Sequence, residues 1–108
     1  MASTYTYTVT QLTVWGNKRV HLLTYTVTNY DQTGKIPLTP AMAGLSILDN
    51  IIGITMEGTT GVVANGPVAF CFDRTGEAIM AKKDGATEVD DNTNISTAGT
   101  ILVVVMGS

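Results

Sequence analysis

Two residues of this chain have the chemistry of a nucleophilic site, and each occurs once: His21 and Cys71. A cysteine attacks as its thiolate, and a histidine beside it can take the proton if a third group fixes its ring. Cys71 lies within the apolar run VAFCF, where the expected outcome is a buried, unreactive thiol. A Cys–His dyad is therefore not expected. One Cys and one His also fall short of the four ligands of a structural zinc site. The run DGATEVDDNTN gathers Asp84, Glu88, Asp90, Asp91, Asn92 and Asn94, an oxygen-rich set of the kind calcium prefers. A calcium loop starting at Asp90 would need glycine where Ile95 stands, and no closing glutamate follows. The expectation is a solvated acidic loop, with no metal and no cofactor. The stretch TVWGNKRV (13–20) holds Lys18 and Arg19, with His21 just beyond. It lacks the glycine spacing and following helix of a phosphate loop, and three cations without a wider basic face bind nucleic acid weakly. It reads as a hairpin tip, its charges either solvated or docked on an acidic partner surface. Trp15 is then a packing residue beside the turn.

Composition supports little chemistry and much contact. Only 14% of the 108 residues are charged and 44% are hydrophobic; charged residues usually make up about a quarter of a chain. About one position in six is threonine. A surface of hydroxyls and small groups is poor at keeping a protein solitary. That favours a life against neighbours, though an ordinary soluble β-rich domain has a similar composition. The net charge of −3 disfavours nucleic acid as a partner. No apolar run reaches membrane-span length and no signal-like segment follows Met1, so neither a membrane nor secretion is expected. A lone cysteine excludes an intrachain disulfide and suits a reducing cytoplasm.

The elements that must carry these residues are strands. Residues 3–28, STYTYTVTQLTVWGNKRVHLLTYTVT, alternate threonine with tyrosine or valine, the pattern of a half-buried pleat. A two-residue Gly16-Asn17 turn would set Leu12 against His21 and Val14 against Arg19. A three-residue loop, Gly16-Asn17-Lys18, gives better pairs: Val14 with Val20, Leu12 with Leu22, Val9 with Tyr25, Tyr7 with Val27 and Thr8 with Thr26. In this register the apolar positions are even near the tip and odd near the base. Both strands thus change buried face around Gln11 and Leu23. Such a switch needs bulges or bends, or a tip whose apolar face is covered by something else, a neighbouring subunit included.

The rest of the chain reads as short β elements. YDQTGK is a turn with Gly34 as its positive-φ residue. Thr39-Pro40-Ala41-Met42-Ala43-Gly44 is one helical turn, capped by Thr39 and ended by Gly44. Leu45 to Met56 is a strand interrupted near Asp49-Asn50. Val68 to Asp73 and Ala78 to Lys83 form a hairpin, with loops at Glu57–Gly61 and Asn65–Pro67, and Asp84 to Ser96 is polar loop. TILVVVM (100–106) reads as a central strand buried on both faces. The expected fold is all-β: one domain over 1–108, a β-sandwich or Greek-key barrel with a long N-terminal hairpin and one short helical turn.

The strings TVWGNKRV (13–20), TYTVT (24–28), YDQTG (30–34) and LTPAMAGLSILD (38–49) together resemble a family of small β-rich virion proteins of tailed bacteriophages. The closing VVVMG is similar to that family's ending, while residues 55–96 match loosely. The resemblance implies a non-enzymatic head decoration or cement protein. It would be made in the bacterial cytoplasm and displayed on the capsid surface, bound to the major capsid protein and often trimeric. It implies no catalytic residues. The expected partner contacts are Trp15, Asn17, Lys18 and Arg19 at the tip, with Thr6 and Thr8 where the ribbon is flanked. A tail or baseplate component has the same expected fold. A carbohydrate-binding module would use Trp15 and the tyrosines as a stacking platform.

Overall fold

The threonine–tyrosine–valine alternation builds two long strands, β1 (Thr4–Trp15) and β2 (Lys18–Asn29). Five further strands follow: β3 (Ile36–Pro37), β4 (Leu48–Glu57), β5 (Ala69–Asp73), β6 (Ala78–Lys82) and β7 (Thr100–Gly107). The computed structural model describes residues 2–58, 69–83 and 87–108. The expected loops at Glu57–Gly61 and Asn65–Pro67 and the start of the Val68 strand fall wholly or partly outside those residues, as does Asp84. One sheet runs β1-β2-β7-β4 and a second runs β3-β6-β5, every pairing antiparallel. The fold is all-β and sandwich-like, with one 3₁₀ turn at Ile95–Thr97 among the described residues.

The core lies between the sheets. Leu23, Tyr25 and Val27 of β2 and Ile101, Val103 and Val105 of β7 enter it from one side; Ile36, Ile79 and Ala81 enter it from the other. All are fully buried, and each large aliphatic among them contributes about 1.5–3 kcal/mol by leaving water. The strand β7 is central but not buried on both faces as expected. Its residues alternate strictly, with Leu102, Val104 and Met106 only half-buried on the outer side. Six apolar residues in succession, Ile101–Met106, marked the middle of a sheet, not cover on both sides.

The hairpin differs from its expected register. The turn is the two-residue Gly16-Asn17, with Trp15 opposite Lys18, not the three-residue loop. Gly16 holds φ 62, the glycine-first arrangement of a type II′ turn. Farther down, Gln11 pairs with His21, Val9 with Leu23, Tyr7 with Tyr25 and Thr8 with Thr24. Between Gln11 and Thr13 the register shifts, so Leu12 is an extra residue on β1. That bulge, which a uniform ladder cannot contain, reconciles the short turn with well-matched pairs below it. The change of face is therefore present, but it is made by Leu12 on β1. On β2 it sits at Val20 and His21, which are both buried, rather than at Leu23.

Smaller differences have local causes. The left-handed residue of the 30–35 turn is Lys35, φ 55, and not Gly34. The Asp31 carboxylate accepts the Thr33 and Gly34 amides and winds that turn, and Lys35 N–H closes it onto Asp31 O. The 39–44 segment makes a single turn. Thr39 Oγ1 accepts from Met42 N, Leu45 N donates to Pro40 O, and Gly44 takes φ 74. β4 begins at Leu48, later than expected; its register slips at Asp49, where an interruption was expected, and again at Ile52. Cys71 is exposed, not buried. Side chains alternate along β5, so Phe70 and Phe72 turn towards the core and Cys71 between them turns away.

Candidate interaction surface: the first edge and the hairpin tip

Twelve residues at about 3.3 Å each carry β1 some 40 Å, close to the molecule's longest dimension of 42 Å. It pairs with β2 alone among the described strands, so its far side is an edge. Every residue of β1 except Tyr5 is exposed. Tyr7 is 40% exposed, Val9 38% and Trp15 57%. The sequence of the strand, TYTYTVTQLTVW, contains no charge and no proline. Cross-strand partners share a face, so Tyr5, Tyr7 and Val9 lie on the core side with Val27, Tyr25 and Leu23. The ring of Tyr7 stacks on those of Tyr5 and Tyr25, which are tilted against each other, with centroids 5.7–6.3 Å apart. Burial, with Tyr5 and Tyr7 beside it, holds the Tyr25 hydroxyl well above the ordinary tyrosine range, and that hydroxyl donates to Pro37 O at 2.7 Å. The stack anchors one end of β1 and leaves the rest open. On the outer side Thr6 faces Thr26 and Thr8 faces Thr24, a ladder of hydroxyls and methyls.

The four expected tip residues stand together. Trp15 and Lys18 are direct partners, Asn17 is in the turn, and Arg19 faces Val14 on one side and Gly107 on the other. Thr6 and Thr8 lie on the same strand, Thr8 about 23 Å along it from Trp15. Lys18 is not simply solvated: its Nζ sits 2.7 Å from Asp49 Oδ2 on β4, an ion-pair contact without hydrogen-bond alignment. In the sequence Asp49 marks only an interruption of a strand, since only the fold brings the start of β4 beside the tip. Arg74 was missed for the same reason. Its guanidinium donates to the carbonyls of Leu48 and Asp49, both at 2.9 Å. It thereby covers backbone acceptors of β4 while lying over the Phe72 ring.

Of the two groups with catalytic chemistry, His21 is engaged structurally and Cys71 is exposed. His21 is buried; Nδ1 must carry its proton, because it donates to Ala43 O at 2.7 Å and a carbonyl only accepts. Nε2 has no hydrogen-bond partner. Cys71 stands exposed on β5. Among the described residues no three of His, Cys, Asp and Glu gather as a metal site. The acidic run is tied down instead. Glu88 Oε2 accepts from Tyr30 Oη and from Lys35 Nζ, Asp90 pairs with Lys83, and Asp91 accepts from Gln32 N. Burial first, and the bond to Glu88 second, raise the Tyr30 hydroxyl well above the ordinary tyrosine range. The Asp31 carboxyl is held below its ordinary value, chiefly by the Gly34 amide. No described helix is long and apolar enough to cross a membrane.

Compared with known protein families, curated proteins and solved structures, the chain matches none.

Proposed function

We propose that this chain is a non-enzymatic structural protein of a tailed-phage virion, a decoration or cement protein that stabilises the head shell. It does so by burying its long hairpin across boundaries between capsid subunits. The observation that carries the reading is the β1 edge: charge-free, rich in threonine and exposed along nearly its whole length. Its support outside the fold is the resemblance of segments 13–20, 24–28, 30–34 and 38–49 to small phage virion proteins. Permanent interfaces are larger and more apolar than transient ones, and Tyr7, Val9, Leu12, Val14 and Trp15 supply such area in one strand and its tip. His21 and Cys71 take no part in this function. The partner is the major capsid protein and the location is the outer capsid surface.

The test is a copy count on particles. Purified protein is added to heads lacking it, and bound copies are measured by quantitative mass spectrometry together with immunogold labelling. Lattice-scale occupancy over the head is expected, with heads that resist heating better. A handful of copies at one vertex or on the tail would overturn the decoration role in favour of a tail or baseplate component. A Lys18/Arg19 double alanine variant is expected to alter the salt dependence of head binding; unchanged salt dependence would remove the tip's charges from the contact.

A further inference from the structure

We infer that β1 is a self-association edge. Two copies of this chain pair their β1 strands antiparallel about a two-fold axis at Thr8, joining their four-stranded sheets into one continuous sheet. The inference concerns the isolated chain and does not rest on the proposed function.

Its first support is what the edge lacks. Exposed edge strands are normally kept from pairing by charges, proline, bulges or a covering segment. From Tyr5 to Gln11 the edge has none of these: the ladder with β2 is unbroken there, and register shifts occur only beyond each end. The unbulged stretch available to a new strand is therefore Tyr5–Gln11, whose midpoint is Thr8. Its second support is geometry. A two-fold axis perpendicular to the sheet leaves each face on its own side, so an odd-numbered residue must meet an odd-numbered one. Centred on Thr8, Tyr7 meets the partner's Val9, Thr6 meets the partner's Thr10, and Tyr5 meets the partner's Gln11. Thr8 meets the partner's Thr8.

The third support is chemistry. The stretch YTYTVTQ alternates large with threonine when read in either direction. Each face of the new ladder thus joins like with like: tyrosine against valine inside, threonine against threonine outside. No charged side chain stands on the paired stretch of either copy to repel the other. The exposed sides of Tyr7 and Val9 gain partners across the axis. Shifting the axis to Val9 would draw the Leu12 bulge into the ladder, and shifting it to Tyr7 would leave Gln11 beyond its end. A contact of seven residues is about 23 Å long, small for a stable interface. The dimer should therefore dissociate on dilution. A two-fold unit also differs from the trimers implied by the resemblance to virion proteins.

Sedimentation equilibrium of the full chain, from low to several hundred micromolar, should show the mass rising from 11.4 kDa towards twice that value. Thr8→Lys sets two ammonium groups face to face on the axis and should weaken association about tenfold or more. Thr55→Lys, on the other edge of the same sheet, should leave it unchanged. In a Cys71→Ser background, Thr8→Cys should oxidise to a covalent dimer, whereas Thr6→Cys should not. The two copies' Thr6 positions lie about 13 Å apart, beyond disulfide reach. A single-chain mass at every concentration would overturn the inference, as would a three-chain mass or a dimer indifferent to Thr8→Lys. Crosslinking at Thr6 equal to that at Thr8 would overturn the register. Should Thr8→Lys fail to fold, the cysteine pair decides alone.

Discussion

The first sheet has two edges, and they are finished in opposite ways. At β4 the register slips twice, at Asp49 and Ile52, and the strand carries charges at Asp49 and Glu57. Arg74 grips two of its carbonyls, Lys18 sits on Asp49, and Ile51, Ile54 and Met56 pack against the core. The β1–β2 ladder also slips twice, between Thr4 and Tyr5 and at Leu12 near the tip, but β1 carries nothing charged and Thr6–Gln11 between those slips are exposed. Bulges, charges and a covering side chain are the means by which a sheet edge is made unfit for another strand. The fold applies all three to β4, whereas the stretch Tyr5–Gln11 of β1 has none of them. The lesson is that the open edge belongs to the protein's design, because the same sheet shows how such an edge is closed.

The largest effect that would sharpen this contrast is in the two strands of the hairpin. Leu23 and Val9 are direct partners, one fully buried and the other 38% exposed. Leu23→Ala should cost about 3 kcal/mol in urea unfolding. Val9→Ala should cost under about 1 kcal/mol in dilute solution and more where the protein self-associates. Equal losses in dilute solution would mean that β1 is covered. Next comes Gly107, which faces Leu48 of β4 and Arg19 of β2. A Cβ there would collide with the Ile47 carbonyl oxygen, so Gly107→Ala should cost about 2 kcal/mol. At Gly53 on the same β4 edge a Cβ meets nothing within 4 Å, and Gly53→Ala should not destabilise.

Arg74→Ala should cost about 1 kcal/mol and have a larger effect on behaviour. By uncovering the Leu48 and Asp49 carbonyls it should give the sheet a second sticky edge, read as light scattering that grows with concentration. No added scattering would show that Arg74 does not guard β4.

The pH response should follow the buried and hydrogen-bonded groups around the core. The Tyr25 and Tyr30 hydroxyls are held above their ordinary value in the folded chain. Their contribution is thus complete below about pH 10 and is lost as pH rises beyond it. Alkaline unfolding monitored by tyrosine absorbance should begin above about pH 10, and Tyr30→Phe should soften it. The Asp31 carboxyl is held below its ordinary value, so its contribution is present above about pH 4 and fades as pH falls further. Smallest of all, Thr6→Ala on the outer face of β1 should change stability by less than about 0.5 kcal/mol.

The strands were legible in the sequence because alternation is a local property. The Thr/Tyr/Val pattern marked both long strands, and Thr39, Pro40 and Gly44 marked the single turn between β3 and β4. The hairpin register was not, because a bulge at Leu12 is decided by which pairs best fill the core over the whole ladder. A uniform ladder had to choose a longer loop instead. Cys71 was misread because an apolar run does not show which of its alternating side chains turn away from the core. The tip residues were visible as a cluster, yet the ion pair of Lys18 with Asp49 joins positions far apart in sequence. The open edge itself was readable in part: twelve residues without a charge are plain in the sequence, but whether another strand covers them is settled by topology.

Backbone hydrogen exchange, followed by mass spectrometry on peptides from β1 and β4 at low and at high protein concentration, tests the difference between the two edges most directly. Peptides from residues 4–11 should exchange quickly when dilute and slow markedly when concentrated, while those of β4 stay the same. Exchange at β1 that is already slow in dilute solution, or that slows equally at both edges, would contradict the account.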